Sequence, residues 1–436
     1  MRKLLQTLLL TVLFSWAQAA SAILSLELTR GVSGAIPIAM VPFATPVDPP
    51  PQDVSGIIAR DLQNSGRFKV FGRSQLSSFP SDIRDVKANY FRNLGADYAV
   101  IGKVENKGLN QYQVTMQIID MYRAREQAEI VLSKKLTVSG YELRALAHHF
   151  SDLIYEKLVG VRGIFSTKLA YVVINHSPNG RTRYSLEVSD QDGYNPRSLL
   201  TSREPIMSPN WSPNGKQIAY VSFENRHAAI YLQDVATGSR HVLSEFKGIN
   251  GAPAWSPDGR KMAVVLSKSG APNIYIMDIG TKQLVPITQD FYINTEPAWT
   301  ADGKSLIFTS NRSGGPQLYQ VNLNTKQVSR LSYDGDYNAR AAITPRGKTL
   351  AMIHRVNGVY HIATLDLDTG TTRVLGTSSG DSASPSMAPN NSMILYDMVY
   401  HGRNMLAMVS ADGSVQLVLP PRNGEAQDPA WSPFLT

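Results

Sequence analysis

The chain has 436 residues, 43% of them hydrophobic, which is enough for two or three domains with sizeable cores. Its formal charge is +8, yet the basic residues are scattered among acidic ones, which argues against nucleic acid as a partner. It contains no cysteine, so disulfides, thiolate metal sites and a lipidated amino-terminal thiol are excluded.

Taken in order, residues 1–22 read as an export signal. Arg2 and Lys3 precede an apolar run over 4–16, and Ala17, Ala19, Ala20 and Ala22 supply small-residue cleavage sites. The run is too short to span a membrane comfortably, so an exported, soluble mature protein is expected, with the charge lowered to +6 by loss of Arg2 and Lys3. Residues 23–34 alternate apolar and polar side chains through Leu24, Leu26 and Leu28 before Gly31 and Gly34 loosen them. Such a segment pairs as a strand or stays a mobile arm.

Residues 35–163 have the pattern of an α/β domain. A strand is expected over 37–43, then a helix capped by Asp53 or Ser55 that buries Ile57, Ile58 and Leu62 and stops at Gly66. A strand over 68–71, a helix over 83–94 and three strands over 98–105, 112–122 and 127–138 follow. A helix over 141–158 closes the domain, with Leu143, Leu146, Ala147, Phe150, Leu153, Ile154 and Leu158 in one stripe at helical spacing.

From residue 164 the helical period vanishes and a repeat begins. Trp211-Ser212-Pro213-Asn214-Gly215 recurs as Trp255-Ser256-Pro257-Asp258-Gly259 and Trp299-Thr300-Ala301-Asp302-Gly303, then as degenerate copies at 343 and 387 and a truncated one at Trp431, always 44 residues apart. Leu186, Ile230, Ile274, Leu318, Ile362 and Leu406 keep the same register. A period of this length, with a turn after an aromatic residue and short apolar runs, predicts a β-propeller with four strands per blade. The unit containing Trp255 gives strands at 253–255, 261–266, 273–278 and 283–287. The last copy stops after one strand, while 168–173 supplies a second strand with no Trp-Ser-Pro before it. The two halves complete a sixth blade, so the carboxy-terminal strand is expected to close the ring. The fold class is thus a multidomain α+β chain, an α/β domain followed by a six-bladed propeller over 164–436.

Motifs that suggest chemistry do not assemble into an active site. Gly376-Thr377-Ser378-Ser379-Gly380 matches G-x-S-x-G but falls between blade strands rather than on a strand-to-helix turn. Gly303-Lys304-Ser305 and Gly347-Lys348-Thr349 lack the leading glycine and the following helix of a phosphate loop. His148 and His149 project about 100° apart on a helix, which disfavours joint metal ligation. The tryptophan column reads as packing between blades. Glu296 and Asp428 are expected to face the central channel, where no ligand spacing requires a cation, and no cofactor is expected.

The run Gly34-Ala35-Ile36-Pro37-Ile38-Ala39-Met40-Val41-Pro42-Phe43, the stretch Asp61-Leu62-Gln63-Asn64-Ser65-Gly66-Arg67-Phe68 and the blade copies from Asn250 to Gly259 and Pro429 to Pro433 resemble the TolB family of periplasmic Tol-Pal components over the length of the chain. The resemblance implies a periplasmic, monomeric interaction scaffold without catalysis, supporting outer-membrane integrity and envelope constriction during division. It implies that the propeller mouth binds the Pal lipoprotein, through which it is tied indirectly to outer membrane and peptidoglycan, and that the mature amino terminus binds the carboxy-terminal domain of TolA. By the same match, Ile23, Leu24, Ser25, Leu26, Glu27, Leu28, Thr29, Arg30, Gly31, Val32 and Ser33 are the TolA-binding arm, and Ile249, Ala252 and Thr295 contact Pal. Similar proteins often carry His where this chain has Ile249. An exported hydrolase holding substrate on its propeller and a glycan-binding protein are the competing readings.

Overall fold

The computed structural model describes residues 25–28, 34–122, 128–343, 347–376, 380–419 and 424–435. The export signal and Ser378 lie outside the described residues, and among those described no helix is long and apolar enough to cross a membrane. Strand β1 (Ser25–Leu28) pairs with the propeller rather than with its neighbours in sequence. The α/β domain is a mixed sheet in the order β3 (Phe68–Phe71), β2 (Ile36–Met40), β4 (Tyr98–Gly108), β5 (Gln111–Asp120), β6 (Glu129–Ser139). β2 runs parallel to both neighbours and the remaining pairs are antiparallel.

Helix α1 (Val54–Asn64) starts where the Asp53 carboxylate accepts the Gly56 N–H at 2.9 Å. Helix α3 (Leu143–Val159) follows a single 3-10 turn in which Ser139 and Glu142 bond reciprocally, and ends at Gly160, whose φ of 87° only glycine adopts without strain. The expected stripe on α3 is real: Leu143, Leu146, Ala147, Phe150 and Ile154 join Ile57, Ile58 and Leu62 of α1 over one sheet face. Each such large side chain contributes about 1.5–3 kcal/mol on burial. On the other face α2 (Ala88–Leu94) seats Phe91 against Ala39, Ala99, Ile101 and Ile119.

The helix expected over 83–94 begins later. Residues Ile83–Asp85 form one 3-10 turn held by the Asp82 carboxylate, which takes both the backbone N–H and the guanidinium of Arg84, and Val86 is extended. A β-branched residue after a satisfied local turn breaks the helix before Ala88.

The repeat folds into six blades. Blade one contains β7 (Lys168–His176), β8 (Thr182–Asp190) and β9 (Arg197–Ser202), with the last strand, Glu425–Trp431, paired antiparallel to β7 so that Trp431 faces Leu169. Ser432 N donates to Lys168 O and Lys168 N to Ser432 Oγ, both at 2.9 Å, extending that pairing past the strand end. The ring is therefore closed by the carboxy terminus, as expected. Blades two to six span 206–244, 250–286, 294–330, 338–374 and 382–419. The Leu186-to-Leu406 column is buried in every blade. Trp211, Trp255 and Trp299 each send the indole N–H to a carbonyl on the inner strand of the preceding blade, at 3.0–3.2 Å, so these rings lock blade to blade.

Antiparallel order sorts the connections onto two faces. The Trp-Ser-Pro hairpins and the turns between third and fourth strands share a lower face, and the α/β domain packs there. The loops entering each inner strand open on the upper face.

Candidate partner-binding channel and docked arm

Every inner strand carries a bulge at one position of the repeat: register breaks follow Met207, Gly251, Thr295, Ala339, Ala383 and Gln427. The residue after each break has positive φ, between 45° and 54°, at Ser208, Ala252, Glu296, Arg340, Ser384 and Asp428. Bulges re-aim side chains. Ser208, Ala252, Glu296 and Arg340 accordingly line a central channel of about 560 Å³, walled by Pro209, Pro253, Pro297, Pro385 and Pro429. Left-handed backbone at a non-glycine residue costs of order 1–3 kcal/mol and concentrates at functional positions.

This ring is wired around its circumference. Asp428 accepts the Ser208 N–H at 3.1 Å and the Ser384 hydroxyl at 2.9 Å, and pairs with Arg340 at 3.0 Å. Arg340 donates to Ser384 Oγ at 2.8 Å, and its N–H reaches Thr309 Oγ1, which donates to Glu296 at 2.8 Å. The positive charge among these acids is the chain's own Arg340. Burial alone would raise the Asp428 pKa, but Arg340, the Ser208 N–H and Ser384 outweigh it and hold the carboxyl below its usual range. Asp397, on the second strand of blade six (Met393–Tyr400), lies beside them. Burial, and then the charge of Asp428, pushes it up to about 6, and its Oδ1 has no hydrogen-bond partner.

The upper mouth carries exposed apolar side chains on the loops entering blades three, four and five: Phe246 and Ile249, then Phe291, Tyr292 and Ile293, then Tyr333. Phe291 is 99% exposed and Tyr333 71%. Each loop is pinned from beneath by a buried asparagine 44 residues from the next. Asn250 donates to Phe246 O, Asn294 to the Asp290 carboxylate and Asn338 to Asp334 O, all at 2.6 Å. Blades two, six and one carry Ile206, Ser382 and Ala426 at that position. The apolar tips thus sit on rigid loops over half of the rim, which suits them to desolvation by a partner.

Ile249 is 45% exposed on this rim, Ala252 is in the channel ring and Thr295 immediately precedes Glu296 at the next bulge, so the three lie on adjacent blades around one opening. Phe246, Phe291, Tyr292, Ile293 and Tyr333 escaped sequence reasoning. Their signal was large apolar residues in segments whose turn chemistry calls for polar ones. Of the arm, Ser25, Leu26, Glu27 and Leu28 form β1, antiparallel to the outer strand Val415–Leu419 of blade six, with Ser25 opposite Val418 and Leu28 opposite Val415. Ile23, Leu24, Thr29, Arg30, Gly31, Val32 and Ser33 lie outside the described residues.

At the lower face the last residues cross the other end of the channel. Phe434 lines it, the Arg162 guanidinium stacks 4.4 Å from the Phe434 ring, and Arg162 donates to Leu435 O at 3.2 Å. The same face holds the contact between domains. Arg144 of α3 is buried between Asp190 (3.2 Å) and Asp192 at the end of β8, with the Tyr194 ring 3.8 Å from its guanidinium. Four residues along α3, His148 Nδ1 lies 2.8 Å from Asp61 Oδ2 of α1, which also accepts from Ser151 at 2.7 Å. His148, Asp61 and Asp192 bring donor atoms within 4.8 Å of one another, but Arg144 already supplies a cation to Asp192 and His148 bonds Asp61 directly. His149 is exposed, so the two histidines diverge as their spacing predicts.

Fold and site together define a six-bladed propeller joined to an amino-terminal α/β domain, with Phe434 crossing the lower end of the channel. A family model described as the TolB beta propeller domain matches residues 155–435, and one described as the TolB amino-terminal domain matches residues 24–127. The chain belongs to the TolB family. It is similar to a crystal structure of TolB from Acinetobacter baumannii, with a TM-score of 0.85 and 38% identity over 94% of this chain and 100% of that one. It is 49% identical over 247 residues to the Tol-Pal system protein TolB of Coxiella burnetii, covering 56% of each chain. It is 44% identical over 250 residues to that of Nitrosococcus oceani, covering 57% of each. In these matches the chain spans little more than half the length of the curated relatives.

Proposed function

We propose that the protein is a periplasmic scaffold of the Tol-Pal envelope system, acting as a monomer without a catalytic step. Its upper mouth binds Pal and its amino-terminal arm binds the carboxy-terminal domain of TolA. The observation that carries the reading is the arc of exposed Phe, Ile and Tyr side chains on asparagine-pinned loops beside the channel. Preorganised apolar anchors beside a polar ring suit a protein partner, because ordering costs at the interface are small. In this reading Ile249, Ala252 and Thr295 contact Pal, with Ile249 contributing an apolar contact. The arm consists of residues 23–34, ahead of the α/β domain over 35–163 and the propeller over 164–436.

The docking of β1 on blade six supports a switch. A segment that adds a strand to this propeller uses the main-chain groups it would need to add a strand to TolA. The two dockings compete, and Pal at the rim biases them through the propeller. Isothermal titration with the Pal periplasmic domain tests the mouth: Phe291→Ala with Ile293→Asp weakens binding at least about tenfold, or about 1.4 kcal/mol, without shifting Tm. Unchanged affinity overturns the assignment. For the arm, TolA-domain affinity measured with and without Pal must differ; equal values remove the coupling.

A further inference from the structure

The cluster between α3 and blade one is unbalanced in charge. Asp61, Asp190 and Asp192 face two permanent cations: Arg144 pairs with Asp190 and Asp192, and Lys168 with Asp190. Arg144, Asp190 and Asp61 are almost fully buried. One negative charge is left over, and a net charge in a buried interface is expensive. The remaining titratable member is His148. Its Nδ1 is on Asp61, and its Nε2 is buried without a hydrogen-bond partner. A neutral ring leaves that lone pair bare, whereas a proton there makes the ring a cation close to both Asp61 and Asp192, and the sum becomes zero.

We infer that this contact is a proton-gated latch: doubly protonated His148 neutralises the cluster and holds the α/β domain on the propeller, and its deprotonation loosens the joint. The residues come from both sides of the joint. Asp61 and His148 belong to the α/β domain, while Asp190, Asp192 and Lys168 belong to blade one. Asp152, one turn beyond His148, is committed elsewhere, accepting the linker N–H groups of Phe165 at 2.7 Å and Ser166 at 3.2 Å. The electrostatics agree. Burial opposes a charged His148, but the Asp61 and Asp192 carboxylates and the Asp61 hydrogen bond outweigh burial and the repulsion of Arg144, raising its pKa. Asp61 is raised too, chiefly by burial. Both shifts mean that the folded pair holds its shared proton more tightly than the unfolded chain. The latch is therefore in place below about 6.5, the ordinary histidine value, for as long as Asp61 stays ionised, and is lost as pH rises through the elevated folded value.

Hydrogen-exchange protection factors on the mature full-length chain, corrected for intrinsic exchange, test this at pH 6.0 and pH 8.5. In the unsubstituted protein, protection over 143–159 and 190–194 falls about tenfold at the higher pH, while strands of blade three are unchanged. His148→Gln, which removes the titration, reduces that fall to less than about twofold. An identical fall in His148→Gln, or none in the unsubstituted protein, overturns the latch. Should His148→Gln not fold, ring NMR of His148 in the unsubstituted protein decides: backbone signals of 190–194 that do not follow its titration overturn it equally.

Discussion

The two ends of the channel are built on opposite principles. At the lower end polar groups are tied to partners within the chain: Arg144 is buried between two aspartates, the exposed Arg162 lies on Phe434 and Leu435, and the last strand is sewn to β7. At the upper end apolar groups are exposed and rigidly held, with Asn250, Asn294 and Asn338 supporting them. Buried polar pairs give one end a unique geometry, since breaking any of them strands a charge. Exposed apolar tips gain their free energy only when something covers them. One end is finished within the chain and the other leaves large apolar side chains uncovered.

The sharpest way to break this contrast is to undo the closed end. Removing residues 424–436 leaves β7 with an unpaired edge and deprives blade one of its inner strand. The expected result is loss of the cooperative propeller transition in calorimetry, and a retained transition would show that the ring does not need its closure. Arg144→Ala is smaller: it strands Asp192 without its cation and leaves Asp190 with Lys168 alone. Its expected cost is about 3–5 kcal/mol in urea denaturation, the range for breaking a buried pair. A loss below about 1 kcal/mol would place this end with solvent-exposed surface pairs.

The channel between the two ends offers the mildest perturbation. Because the folded pKa of Asp397 is raised to about 6, the native state holds that proton more tightly than the unfolded chain, so this group's contribution is lost as pH climbs from about 4 through 6. Asp397→Asn should therefore stabilise the propeller by on the order of 2–3 kcal/mol at pH 7.5 and change little near pH 4. Thermal unfolding of both proteins across that range is the measurement, and parallel curves would remove the charged-state penalty.

How much of this was legible beforehand follows from the same contrast. Blades contact near-copies of themselves, so the 44-residue register of Leu186 to Leu406 and of Trp211, Trp255 and Trp299 encoded both the strands and their neighbours. The channel ring was half visible. Ala252, Glu296 and Asp428 stood at that spacing, but Ser, Ala, Glu and Arg carry no mark of left-handed backbone, so the bulge at this position was hidden.

The sequence alone determined that there is an α/β domain, a repeated four-stranded unit, six such units and a terminal strand to close them, because helical and strand periods and a fixed repeat are local properties of the chain. Only the tertiary structure decided that Arg144 meets Asp190, that His148 meets Asp61 87 residues away, and that β1 lies on blade six. Those contacts join elements that occur once and share no period. Their pairing depends on how one domain is turned against the other, and that orientation is set by the sum of many weak interactions across the joint rather than by any residue's own preference.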